Sequence, residues 1–64
     1  MIKHSIVLTQ RFTNNKIYLI SNNIQKFVQF TLDSGEAFTI ITMMNGKNEE
    51  VQELPHRISE LLEN

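Results

Sequence analysis

A chain of 64 residues has room for one small domain, which excludes multi-domain switches, barrel enzymes and large cofactor folds. It has no Cys, and its two His stand at positions 4 and 56, so neither a disulfide framework nor a zinc site is expected from spacing. The formal net charge of −1 exerts no whole-protein pull toward nucleic acid or anionic lipid.

A domain this short buries only about 60% of its unfolded surface, so it needs help to be stable. Without disulfides or metal, self-association is the remaining help, and a homo-oligomer, most simply a dimer, is expected. No apolar run approaches the ~18 residues of a membrane span. The start, Met1-Ile2-Lys3-His4-Ser5, lacks an apolar signal-peptide region. A cytoplasmic protein without membrane association is expected.

In chain order, residues 2–12 read as a first strand, with Ile6 and Leu8 on one face and Val7 and Thr9 on the other. Asn14-Asn15 suits a two-residue hairpin loop, which would pair Phe12 with Ile17 and Arg11 with Tyr18. Residues 16–20 form the second strand. Ser21-Asn22-Asn23 then breaks the chain into a helical turn carrying Ile24.

Residues 26–32 alternate, with Val28, Phe30 and Leu32 on one side and Phe27, Gln29 and Thr31 on the other. Asp33-Ser34-Gly35 fits a three-residue loop with Gly in the left-handed region. That loop sets Phe30 opposite Phe38 and Val28 opposite Ile40, in cross-strand pairs worth roughly 0.2–1 kcal/mol each. Residues 37–44 are apolar on both faces, as a central strand should be. Asn45-Gly46 predicts a two-residue turn that pairs Met44 with Lys47 and Ile40 with Val51. Residues 47–52 are then a polar edge strand protected by Glu49 and Glu50.

Pro55 suits the first position of a helix over 55–62. Leu54, Ile58, Leu61 and Leu62 make its apolar stripe. The expected fold is therefore α+β, mainly β: a small four- to five-stranded antiparallel sheet of hairpins with one C-terminal helix, in a single domain 1–64.

Two surfaces are candidates for function. Phe27, Ile41 and Met43 fall on the face opposite Phe30, Phe38 and Ile40, and Met44 continues them into the turn. Either the helix or a second subunit must cover this second apolar face. Phe27, Ile41, Met43 and Met44 are therefore the expected interface of a non-enzymatic protein-interaction or regulatory accessory module. The second surface rests on charge. Residues 1–32 carry Lys3, Arg11, Lys16 and Lys26 with no acid, whereas residues 33–64 carry seven acids against Lys47 and Arg57. The two halves can neutralise each other on folding. Alternatively Arg11, Lys16, Tyr18 and Lys26 would form a basic, aromatic hairpin that contacts nucleic acid.

Nothing points to catalysis. His4 and Ser5 are adjacent on a strand and so face opposite ways. Glu49, Glu50 and Glu53 lack the cleft that a carboxylate pair needs. No catalytic, cofactor-binding or metal-ligating residue is expected.

Asn14-Asn15-Lys16-Ile17-Tyr18-Leu19, followed by Asn22-Asn23-Ile24, resembles the opening of the FlbD-type flagellar and swarming-motility family. Ile40-Ile41-Thr42-Met43-Met44-Asn45-Gly46-Lys47, with Val51, Glu53 and Ile58, resembles its second half. The resemblance spans residues 12–62 and implies a small cytosolic, strand-rich protein with a C-terminal helix. It brings no catalytic or ligand residue. A second resemblance is to the CsrA-type RNA-binding regulators, through Val7-Leu8-Thr9 with Arg11 and through His56-Arg57. It implies a dimer that binds nucleic acid. The expectation drawn is an accessory or regulatory module, related to motility or carried by a mobile element, with the CsrA-like reading as its alternative.

Overall fold

The computed structural model describes residues 4–63. Five strands precede one helix: β1 (Ser5–Thr9), β2 (Lys16–Ile20), β3 (Ile24–Thr31), β4 (Ala37–Met43), β5 (Asn48–Val51) and α1 (Pro55–Glu63). A 3₁₀ turn over Ser21–Asn23 links β2 to β3, where the Ser-Asn-Asn break predicted a helical turn. The α+β, mainly β expectation holds, but the strands form two antiparallel sheets, β1-β2 and β3-β4-β5. Among the described residues a single bridge, Gln10 to Val51, joins them. Around it the Arg11 N–H donates to the Glu50 carbonyl at 3.0 Å and the Gln52 N–H to the Thr9 carbonyl at 2.9 Å. The expected first strand is shorter at both ends, and its residues 2–3 lie outside the described residues.

Each hairpin loop fixes a register. In the first, Asn14 alone takes a positive φ, of 61°, and Gln10 pairs with Asn15, so four residues form the loop. Leu8 therefore faces Ile17 and Val7 faces Tyr18, in place of the expected Phe12–Ile17 and Arg11–Tyr18 pairs. Arg11 and Phe12 leave the ladder because the Arg11 backbone bonds β5. The shift is four residues, an even number, so Ile6, Leu8, Ile17 and Leu19 still share one face.

The second hairpin has the expected register, with Phe30 opposite Phe38 and Val28 opposite Ile40. The Leu32 N–H donates to the Glu36 carbonyl at 2.8 Å, and Gly35 takes a φ of 96° in the loop. The third differs by one residue. The Met43 N–H donates to the Lys47 carbonyl at 2.8 Å, closing a three-residue loop with Gly46 at a φ of 90°. Val51 then faces Thr39 and not Ile40.

A one-residue slip turns every side chain of a strand to the other face. Val51 thereby joins Ile41 and Phe27, and that face becomes the core. Ile6, Leu8, Ile41, Val51 and Ile58 are buried, with Phe27, Met43, Leu61 and Leu62 packed against them. Each fully buried aliphatic side chain contributes roughly 1.5–3 kcal/mol. Helix α1 covers the inner face with Ile58, Leu61 and Leu62, whereas Leu54, expected in the stripe, stays 40% exposed at the helix entry.

Candidate functional site

The outer face of β3 and β4 carries Val28, Phe30, Phe38 and Ile40. Val28 and Phe30 are 49% and 50% exposed. Residues 28–31 of β3 are exposed on both faces, whereas their partners on β4 are buried or half-buried, so β3 is the open edge of this sheet. The Phe30 and Phe38 rings lie 5.6 Å apart between centroids, tilted by 34°. A contiguous apolar patch with a polar rim is the kind of surface that marks an interaction site.

The rim is built by Arg11. Its guanidinium lies 3.7 Å from the Phe38 ring centroid and 4.4 Å from that of Phe12. Nη1 donates to Glu50 Oε1 at 2.8 Å and Nε to Glu36 Oε2 at 3.4 Å. Hydrogen bonding to Glu50, with Glu36 adding to it, raises the guanidinium pKa above its ordinary value against the opposing effect of desolvation. Phe38 is nearly buried beneath this lid although it belongs to the outer face. Arg11 thus joins the basic first half of the chain to the acidic second half.

Two expectations change accordingly. The candidate interface residue Ile41 is fully buried, and Phe27 and Met43 pack against the same core, so this face is covered inside the chain by α1 and the β1–β2 hairpin. The β4–β5 loop has three residues, and this put the inner and outer faces the other way round. Only Met44 is exposed, at 64%, and it lines a depression of about 370 Å³ with Leu19, Asn23, Met43, Lys47 and Glu49. The four residues of the nucleic-acid alternative do not converge on one site. Arg11 is held by two carboxylates, and Lys16 Nζ donates to Thr9 Oγ1 at 3.0 Å. Tyr18, 72% exposed, stands beside Val7 on the outside of the β1–β2 hairpin, and Lys26 lies on β3 in the other sheet.

A second concavity, of about 520 Å³, lies between β1 and α1 and is lined by His4, Lys16, Glu53, Arg57 and Leu61 among others. Its His, Lys, Glu and Arg side chains already have partners. His4 Nε2 lies 3.2 Å from the Leu61 carbonyl, and Arg57 Nη1 lies 3.4 Å from Glu60 Oε1. The Glu53 carboxylate accepts the Thr9 N–H and the Thr9 hydroxyl, both at 2.9 Å. The Thr39 hydroxyl donates to the Glu53 carbonyl at 2.6 Å. Glu53 thus ties the helix entry to β1 and β4. Among the described residues, no group of three or more His, Asp or Glu could hold a metal ion. No described helix is long and apolar enough to cross a membrane.

Sequence reasoning missed the Arg11 lid and the exposure of Val28 and Phe30 on the outer face. The missed signal was the acidic pair of Glu36, in the β3–β4 loop, and Glu50, on β5 beside the strand that carries Phe38. No protein-family model matches the chain, and neither a curated protein nor a solved structure is significantly similar to it.

Proposed function

We propose that this chain is a non-enzymatic interaction module that works as a homodimer, with the outer face of β3 and β4 as its working surface. The observation that carries the reading is the half-exposed Val28–Phe30 patch on the edge strand β3. A second copy is the occupant argued for. The core is small and has no disulfide, so packing Val28 and Phe30 of one copy beside those of another adds apolar contact that a short chain lacks. The patch is also flanked by unlike charges that form no ion pair among the described residues, Lys26 at one end of β3 and Asp33 just past the other.

The resemblance of residues 12–62 to the FlbD-type family supports an accessory role in motility. A basic nucleic-acid surface has less support, because the Arg11 charge is met within the chain.

Light scattering on the purified chain, with absorbance read at 260 and 280 nm, tests the proposal. The expected result is a dimer without excess 260 nm signal. A monomer at every concentration would overturn it, and so would an oligomer that forms only with bound nucleic acid.

A further inference from the structure

The sheet order β3-β4-β5 leaves β3 as an edge, eight residues long. An edge of this length presents a row of unpaired backbone donors and acceptors, and proteins normally block such edges with charge, Pro or a covering element. Among residues 24–31 there is no Pro, and Lys26 is the single charge. The first residues, at Ile24/Lys26, carry an irregularity in the ladder, but residues 26–31 pair regularly with β4.

The alternation of the ladder shows which groups are unpaired. The Leu32 N–H bonds the Glu36 carbonyl, so Leu32 and Glu36 are a hydrogen-bonded pair. Hydrogen-bonded and non-hydrogen-bonded pairs alternate along antiparallel strands. Counting back, Phe30 and Val28 direct their backbone groups at β4. Phe27, Gln29 and Thr31 direct theirs outward, away from the sheet.

We infer that β3 pairs with β3 of a second copy, antiparallel, about a two-fold axis at Gln29. The inference rests on the homodimer reading above and supplies its geometry. Every register with its axis at a residue keeps both outer faces on the same side. An axis at Lys26 would set like charges against each other, and axes at Phe30 or Thr31 would set Phe27 or Gln29 against Asp33 and run into the Asp33-Ser34-Gly35 loop. An axis at Val28 would set Lys26 against Phe30, and an axis at Phe27 would set Lys26 against Val28. Each places a charge opposite an apolar side chain. An axis at Gln29 sets Val28 against Phe30 of the second copy, twice, and brings Lys26 opposite Leu32, beside the second copy's Asp33. The outward groups of Gln29 then meet those of Gln29, and Phe27 meets Thr31. This register matches apolar with apolar and places Lys26 next to its unlike charge. It joins two three-stranded sheets into one of six strands, whose outer face is continuous across the axis.

Single-cysteine variants test the register, since the chain has no native thiol. Residues paired across the axis stand about 5.5 Å apart at Cα, within disulfide reach. Thr31 would face Phe27 and lie about 14 Å from its own copy, beyond reach. Under mild oxidation at low concentration, Gln29→Cys should link on the order of tenfold faster than Thr31→Cys. Gln29→Pro removes an outward N–H and leaves the β4 ladder intact, so it should give a folded monomer. Equal linking at positions 29 and 31, or a Gln29→Pro variant still dimeric, would overturn the edge pairing, and a wild-type dimer would then leave the interaction reading standing. A wild-type chain that is monomeric throughout would overturn both.

Discussion

Val51 lies directly opposite Thr39 in the β4–β5 ladder, and both side chains are fully buried. The pairing is set by the three-residue loop in which Gly46 takes a φ of 90°. It places the one apolar residue of β5 on the same face as Ile41, under the helix. Val51→Ala should therefore cost roughly 1.5–3 kcal/mol in urea unfolding. At Gly46 a Cβ would meet nothing within 4 Å, so Gly46→Ala should cost only the backbone strain of a positive φ, about 1–2 kcal/mol. Gly46→Asn should recover part of that loss.

Glu53 holds the helix entry by accepting two bonds from Thr9 while its carbonyl accepts the Thr39 hydroxyl. Hydrogen bonds to a charged group are worth roughly 1.5–3 kcal/mol. Glu53→Ala should lose about that much stability, and the Thr9 amide should exchange faster with solvent. Glu53→Gln keeps one acceptor oxygen and should lose less. Amide exchange followed by NMR checks both.

Arg11 acts through shape as well as charge. Its planar guanidinium covers Phe38 and reaches Glu36 and Glu50, which a Lys ammonium cannot do together. Arg11→Lys should lower the melting temperature nearly as far as Arg11→Met.

The Arg11 contribution should also be insensitive to alkali. The folded-state pKa is raised by the Glu50 and Glu36 bonds, so the contribution is fully present below the ordinary arginine value and is lost only as pH rises through the raised one. The stability gap between wild type and Arg11→Met should therefore be the same at about pH 7 and about pH 9. Urea unfolding at the two pH values checks this.

The strands and the helix were legible because their signals are local. Alternation marked β3, Asp33-Ser34-Gly35 marked its loop and register, and Pro55 marked the helix start. The long-range choices were not legible. Asn45-Gly46 fits a two-residue turn as well as a three-residue loop, and that single residue decides which face of β4 is inner. Residues 37–44 are apolar on both faces, so the pattern could not break the tie. That the basic first half could be met by the acidic second half was legible, but not that Arg11 would meet Glu36 and Glu50, which lie 25 and 39 residues away. The pattern therefore offers Phe27 and Ile41 as interface residues, which the fold packs into its core, while it leaves Val28 and Phe30 half exposed.

The most direct test of the account compares Phe30→Asp with Ile41→Asp by thermal melting and light scattering. The outer face is predicted to be the working surface and the inner face the core. Phe30→Asp should give a folded monomer, and Ile41→Asp an unfolded chain. A dimeric Phe30→Asp, or a folded Ile41→Asp that has merely lost its partner, would contradict the account.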